Sequence, residues 1–506
     1  MHKTQPSSSL RSLAVLAASL GATAVACAQA VPVATQFKES GDGIGHMLVV
    51  PYYTVQGGNA TLLNIVNTDR TNGKAVKVRF RGASNADDVF NFTLFLSPGD
   101  VWAAEVSQNP GNGLARLYTP DDSCTLPTNV NRDFTTARLD PAANVANESR
   151  EGYVDIITMA DLVPGTAVYT ATKHVNGQLP AACSGGASAP AALQALLSEE
   201  GISAAGFSAP TTGLFANWSI FNVADATSWA GKATAIAAVD SKGVAGAGKV
   251  VVYPQALGTP SGAVADLTSD PLLRSGAVAA QYFDLPDLST PYVGRSTATE
   301  QAAMVSGALA KSTIKSEFFT DDGVQAQTDW VFSFPTRRYN LAMNYAKHQS
   351  EYTALSPEFF MVGNTPQSGV GADTKNCVRR ISANGYSRAA QLDLSDRLVA
   401  GGFYGPWELY FCGAVSVWSV NAGDVQADSA LAASVVRANA NMSFSDGWVD
   451  ISAANSSDFG NVFPAGLPVV GAAYVKANNP NIGTGISGNF GLTWPLRFTR
   501  SGDRVR

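Results

Sequence analysis

Apolar and polar residues alternate with a period of two along most of this chain. Between Lys74 and Arg81, Val76, Val78 and Phe80 point one way and Lys77, Arg79 and Arg81 the other. That spacing predicts an antiparallel strand with one buried and one wet face. Phe90, Phe92, Leu94 and Leu96 share a face in the same manner between Val89 and Leu96. Further strands are predicted at 47–53, 61–67, 101–106, 153–158, 214–223, 232–239 and 250–253, then at 330–334, 409–420, 448–452, 469–476 and 490–498. Turn residues punctuate them: Gly57-Gly58-Asn59, Pro98-Gly99, and Asn72-Gly73, a strong hairpin signal. Many short strands joined by Gly, Pro and Asn turns predict an all-β chain, a mainly antiparallel β-sandwich with a few inserted helices.

Two segments carry helical spacing. Leu193, Leu196 and Leu197 mark 191–200, and 298–314 follows Thr297 and Glu300 in capping-box spacing. A polar, proline-bearing stretch at 256–295 divides the chain into two sandwich-like halves, 31–255 and 256–506, the second holding the helix near 298–314. The halves echo each other faintly: Gly152-Tyr153-Val154-Asp155-Ile156 resembles Gly447-Trp448-Val449-Asp450-Ile451.

Residues 1–30 read as a secretory signal peptide. Lys3 and Arg11 precede an apolar run at 13–26, and Ala28-Gln29-Ala30 is a small-x-small cleavage site. The alternative is a lipoprotein signal at Ala24-Val25-Ala26-Cys27. The remainder has no run of 18 apolar residues, so no membrane helix is predicted. Export agrees with the cysteines. Outside the signal there are four, Cys124, Cys183, Cys377 and Cys412. They allow three disulfide connectivities, of which Cys124–Cys183 and Cys377–Cys412 would each close within one half. Charged residues are 15% of the chain and the net charge is −6. That balance argues against a nucleic-acid binder, and the 45% hydrophobic content argues against disorder.

A search for chemistry returns little. His46, His174 and His348 are scattered and read as loop or surface residues, with no His-Glu-x-x-His set for zinc. Gly243–Val250 (GVAGAGKV) approaches a phosphate-binding loop but has Val250 where Ser or Thr should hold Mg2+, and it reads as a strand connection. Asp87-Asp88, Asp121-Asp122 and Asp321-Asp322 sit beside turns and make Ca2+ the one candidate cofactor. Trp102, Trp330, Trp418 and Trp448 lie within strand patterns and read as core. No catalytic residue is assigned.

The strand motifs occur in a characteristic series: Val50–Gln56 (VPYYTVQ), Thr61–Asp69 (TLLNIVNTD), Ala75–Gly82 (AVKVRFRG), Phe95–Trp102 (FLSPGDVW), Asp329–Arg338 (DWVFSFPTRR) and Cys412–Asn421 (CGAVSVWSVN). Together they resemble a family of exported cell-surface proteins of Gram-negative proteobacteria. Its best-known members are surface-layer proteins, including those that form tubular nanopod sheaths around outer-membrane vesicles. The four cysteines depart from the common cysteine-free pattern of such proteins. The resemblance implies a non-enzymatic structural protein, exported to the outer-membrane exterior and self-assembling into a lattice. Its partners would be copies of itself, with lipopolysaccharide or an outer-membrane anchor protein holding the lattice to the cell and Ca2+ bridging subunits. Two alternatives belong to other classes: an outer-membrane barrel or porin, and a secreted carbohydrate-binding or hydrolytic protein.

Overall fold

A computed structural model of the chain describes residues 31–136, 143–184, 205–251, 292–294, 298–337, 382–393, 410–422, 428–453, 466–479 and 488–500, together with 139, 193, 341–344, 349–352, 367–368, 375–379 and 483. The fold is all-β, in several mainly antiparallel sheets. The first sandwich unit is built by β1 Gln36–Glu39, β2 Met47–Thr54, β3 Asn59–Asn67, β4 Gly73–Gly82, β5 Asp88–Leu96, β6 Val101–Gln108, β7 Ala115–Tyr118, β8 Glu151–Leu162, β9 Leu214–Asn222, β10 Thr227–Lys232 and β11 Thr234–Val239. The second is built by β12 Thr313–Phe319, β13 Gln327–Ser333, β14 Ser382–Ser387, β15 Val415–Ala422, β16 Arg437–Met442, β17 Asp446–Ser452, β18 Val470–Asn478, β19 Asn489–Pro495 and β20 Arg497–Thr499.

The two units repeat one topology. In the first, sheet A runs β1-β11-β2-β8-β4-β5 and sheet B runs β10-β9-β3-β6-β7. In the second, sheet A runs β20-β12-β17-β14 and sheet B runs β19-β18-β13-β15-β16. Strand for strand, in unbroken chain order, β11-β2-β8-β4 matches β20-β12-β17-β14, and the two sheets B match throughout. Register matches as well. Tyr53 faces Gly152 as Phe318 faces Gly447, and Arg81 faces Tyr153 as Tyr386 faces Trp448. A side chain repeats the alignment: Thr61 Oγ1 accepts from Thr54 N–H and donates to Thr54 O (3.0 and 2.9 Å), and Thr328 Oγ1 does the same to Phe319 (3.1 and 2.8 Å). One difference is that β6–β7 is antiparallel and β15–β16 parallel. The five-residue echo therefore marks the same strand, β8 and β17, of a repeated unit.

Each sandwich has an aromatic interior. Phe92 packs on Trp102 at 5.2 Å in the first, and Phe332 and Phe411 pack on Trp418 at 5.1 and 4.7 Å in the second. Every described ladder joins strands of one unit, yet Pro32–Arg506 forms one compact body. The larger core explains why: Val331, Val415, Val417, Ala472 and Tyr474 of the second unit belong to the same buried cluster as the interior of the first.

Several expectations are corrected. Asn72-Gly73 does not close a hairpin, since β3 lies in sheet B and β4 in sheet A. Asp69 Oδ1 accepts from the Thr71 and Asn72 N–H groups at 2.8 and 3.0 Å, and Asn67 Nδ2 donates to Asn72 O at 3.0 Å. These bonds shape a corner that carries the chain from one sheet to the other, so Leu63 and Ile65 join the same core as Val76, Val78 and Phe80 across the sandwich. The polar face of β4 is not wet: Lys77 and Arg79 have no exposed surface and Arg81 keeps 3%. The helix predicted at 298–314 ends at Leu309. Ala310 pairs with Pro468, and Ile314 enters the ladders with Ile451 and Phe498, because a buried sheet position satisfies backbone and apolar side chain together. Val250 and Val251 are not in a strand, while 252–253 lie outside the described residues. So do 256–291 of the proline-bearing stretch and the 191–200 helix apart from the buried Leu193.

Candidate functional site: the weld between the units and its vacant counterpart

The contact between the units is built on β2, on the first turn of β8 and on the loop after β4. Glu151 is fully buried at its centre. Its Oε1 accepts from Ser434 N–H (2.7 Å), Val435 N–H (3.0 Å) and Gln56 Nε2 (2.9 Å), while Tyr52 Oη donates to Oε2 at 2.9 Å. Burial raises the Glu151 pKa, and these four donors act against that by favouring the anion. Ala83 O accepts from Ala414 N–H and Val415 N–H at 2.7 and 3.0 Å. Tyr474 lies between the rings of Tyr52 (6.2 Å) and Trp218 (5.6 Å), and Trp229 Nε1 donates to Val475 O at 2.9 Å. A second carboxylate, Asp329, organises the loop that reaches across. It accepts from Ser419 Oγ (2.7 Å), Ser429 Oγ (2.5 Å) and Leu431 N–H (2.9 Å), and burial raises its pKa too. Polar groups buried here have partners, as burial at low cost requires.

Sheet A of the second unit carries an open groove of about 700 Å3. Glu317, Arg388, Asp446, Trp448, Leu492 and Trp494 line it. Trp448 stacks on Tyr386 at 4.4 Å and 14°, with Lys315 Nζ 5.8 Å from its ring centre. Arg388 pairs with Asp446 at 3.0 Å and Lys315 with Asp450 at 3.2 Å. The groove thus presents aromatic faces rimmed by ion pairs of both signs.

A third surface is the outer face of sheet B in the first unit. Alternate residues of β3, β9 and β6 point away from the core, so Phe215, Val66 and Val101 form one row across three strands. Val101 is 49% exposed, and Leu62, Phe221 and Tyr118 on the same face are exposed as well.

The sequence-predicted residues fall differently. Cys124 and Cys183 are disulfide-bonded, with Cα atoms 5.6 Å apart. Cys412 is disulfide-bonded, and register sets it opposite Cys377. Trp102, Trp330 and Trp418 are core, but Trp448 is half-buried in the groove. His46 is a buried core residue rather than a surface one, and His174 bridges Asp100 (3.4 Å) and Asp122 (2.9 Å), whereas His348 lies outside the described residues. Gly243 turns the chain at φ +80° and Ala247 bridges to Val33, so 243–250 connects strands. The acidic pairs are scattered. Asp88 faces Arg79 at 3.5 Å, Asp121 accepts from Ser123 N–H at 2.9 Å and Asp321 accepts from Gly323 N–H at 2.8 Å. Among the described residues no three His, Cys, Asp or Glu side chains converge as metal ligands. The pairs do not fit the six to eight oxygens of a Ca2+ site within one chain. Among the described residues no helix is long and apolar enough to cross a membrane. No family model, curated protein or solved structure matches this chain. Glu151, Asp329 and the groove carry no sequence signal of their own. The echo in β8 and β17 was the one clue to them, since the groove lies along β17.

Proposed function

We propose that this is an exported, non-enzymatic structural protein that self-assembles into a surface layer or tubular sheath on the exterior of a Gram-negative cell or its vesicles. One observation carries the reading. The outer face of sheet B is buried in the second unit through Val331, Val415 and Tyr474, while the matching face of the first unit exposes Val101, Leu62 and Phe221. A sheet face with an apolar row left open is an association surface. The serial strand motifs and the N-terminal signal pattern support the same reading. Copies of the chain are then its principal partners, with lipopolysaccharide or an outer-membrane anchor protein as the attachment. A spanning barrel is less favoured because the described sheets run as open paths with two edges. A carbohydrate-binding role is the second reading, favoured by Trp448 and Trp494 in the groove.

Electron microscopy of the purified mature protein, beside producing cells, tests this. Ordered sheets or tubes are expected, and their survival or loss in chelator decides whether Ca2+ bridges chains. Monodisperse particles and bare cells would sink the structural reading, and binding to a glycan panel would then support the second.

A further inference from the structure

We propose that copies of this chain join head to tail, the outer face of sheet B in the first unit of one copy seating in the groove on sheet A of the second unit of the next. The contact repeats between chains the weld that joins the two units within a chain. The proposal rests on the self-assembly reading and names its interface.

The argument is one of register. Inside the chain, the receiving surface is made by Tyr52, Ala83, Glu151, Tyr153 and Trp229. The matched ladders assign each a counterpart in the second unit. Tyr53–Gly152 matches Phe318–Gly447, so Tyr52 corresponds to Glu317 and Glu151 to Asp446. Arg81–Tyr153 matches Tyr386–Trp448, so Tyr153 corresponds to Trp448 and, two residues beyond Arg81, Ala83 to Arg388. Trp229 and Gly231 face Ile220 and Trp218 as Leu492 and Trp494 face Val475 and Ala473. All six counterparts line the groove. The groove is therefore the receiving surface of the second unit, with nothing of this chain seated in it among the described residues.

The inserting surface has a counterpart too. Within the chain it is the outer face of sheet B in the second unit. Ser333 faces Val415 and Val470 as Val66 faces Val101 and Phe215, and Asp329 faces Tyr474 as Leu62 faces Ser219. The exposed row Phe215–Val66–Val101 thus stands where Val470–Ser333–Val415 is buried. Charge agrees with the fit. Ala414 N–H donates to Ala83 O inside the chain, and the residues in those places at the new contact are Asp100 and Arg388, of opposite sign. The groove is more polar than its internal counterpart, which suits a contact made after folding rather than during it.

Because donor and receiver are different surfaces, the contact is heterologous. Repeating the operation that relates the first unit to the second gives an open row of evenly spaced units unless rotation closes it. Rows of this kind are the elements from which sheets and tubes are built.

Cross-linking of the full mature chain tests the interface. Val415 N–H bonds Ala83 O, so Val101 of one copy lies beside Arg388 of the next. Tyr474 touches Tyr52, so Ser219 lies beside Glu317. Oxidising a mixture of Val101→Cys and Arg388→Cys proteins is expected to give a mixed dimer. The double variant is expected to give a ladder of multimers, and Ser219→Cys with Glu317→Cys the same pattern. Val101→Arg or Leu492→Arg, both at exposed positions, is expected to raise the protein concentration needed for assembly by roughly tenfold or more with an unchanged melting curve. Cross-linking of Val101→Cys to itself would replace the proposal with a two-fold, face-to-face contact. Wild-type arrays without either mixed cross-link would overturn this interface and leave self-assembly standing. A wild type that forms no arrays would overturn both.

Discussion

Asp155 and Asp450 hold the same place in the two units, one residue before the isoleucine of the echo, and their surroundings differ. Asp155 is 3% exposed and lies 3.4 Å from Arg81. Burial pushes its pKa up to about 6 against the pull of Arg81 and Arg79. Asp450 is half-exposed beside Lys315. The same strand, with the same alternation, supports a buried charge layer in one unit and the margin of an open groove in the other. The difference teaches that a repeated sheet can be specialised by what covers its outer face, without changing its ladders.

The largest effect should separate the two aspartates. Asp155→Ala leaves Arg81 buried beside an empty site and should destabilise by about 3–5 kcal/mol, whereas Asp450→Ala should cost under about 1 kcal/mol. Denaturant unfolding of both variants measures this, and equal losses would mean that both faces are equally covered. The glycines that open the two echoes should behave alike instead. A Cβ at Gly152 would stand 1.7 Å from Arg81 O, and one at Gly447 would stand 1.9 Å from Tyr386 O. Each strand pair must move apart to admit alanine, so Gly152→Ala and Gly447→Ala should each lower stability by about 3 kcal/mol. A neutral result at either position would break the register match on which the repeat rests.

A third effect belongs to the first unit and depends on pH. His46 Nδ1 accepts from Ala238 N–H at 3.1 Å and Nε2 donates to Gly246 O at 2.9 Å, so the buried ring is held neutral. Burial lowers its pKa from 6.5 to about 4. The folded pKa lies below the unfolded one, so its contribution is complete above pH 6.5 and is lost as pH falls toward 4. That loss amounts to about 3 kcal/mol at 1.36 kcal/mol per pH unit. His46→Gln should flatten this part of the stability profile between pH 6.5 and 4, and an unchanged slope would assign the acid sensitivity to other groups.

Much of the architecture was legible. Period-two alternation and turn residues located β2, β3, β4, β5, β8, β9, β13, β17 and β18 to within a few residues, because each strand's own side chains must be sorted between two faces. The short helices Val145–Glu148 and Ala167–Thr172 were not anticipated. They rest on single caps, Asn144 and Thr166, in stretches without apolar periodicity. Of the candidate surfaces, Trp448 was noticed as a strand aromatic and its exposure was not. Neither Glu151 nor Asp329 stands out, since a lone carboxylate in a strand becomes a hub only when distant N–H groups converge on it.

The chain's own pattern determined which segments become strands, which side chains enter a core and that one five-residue element occurs twice. Those features follow from local sterics and from burial of alternate side chains. Tertiary structure alone decided that Asn72-Gly73 crosses between sheets, that Lys77 and Arg79 are buried, and that one sheet B is covered while its twin is open. Alternation encodes that a strand has two faces. What lies against each face is set by residues dozens to hundreds of positions away, as Ser434 on Glu151 and Val475 on Trp229 show.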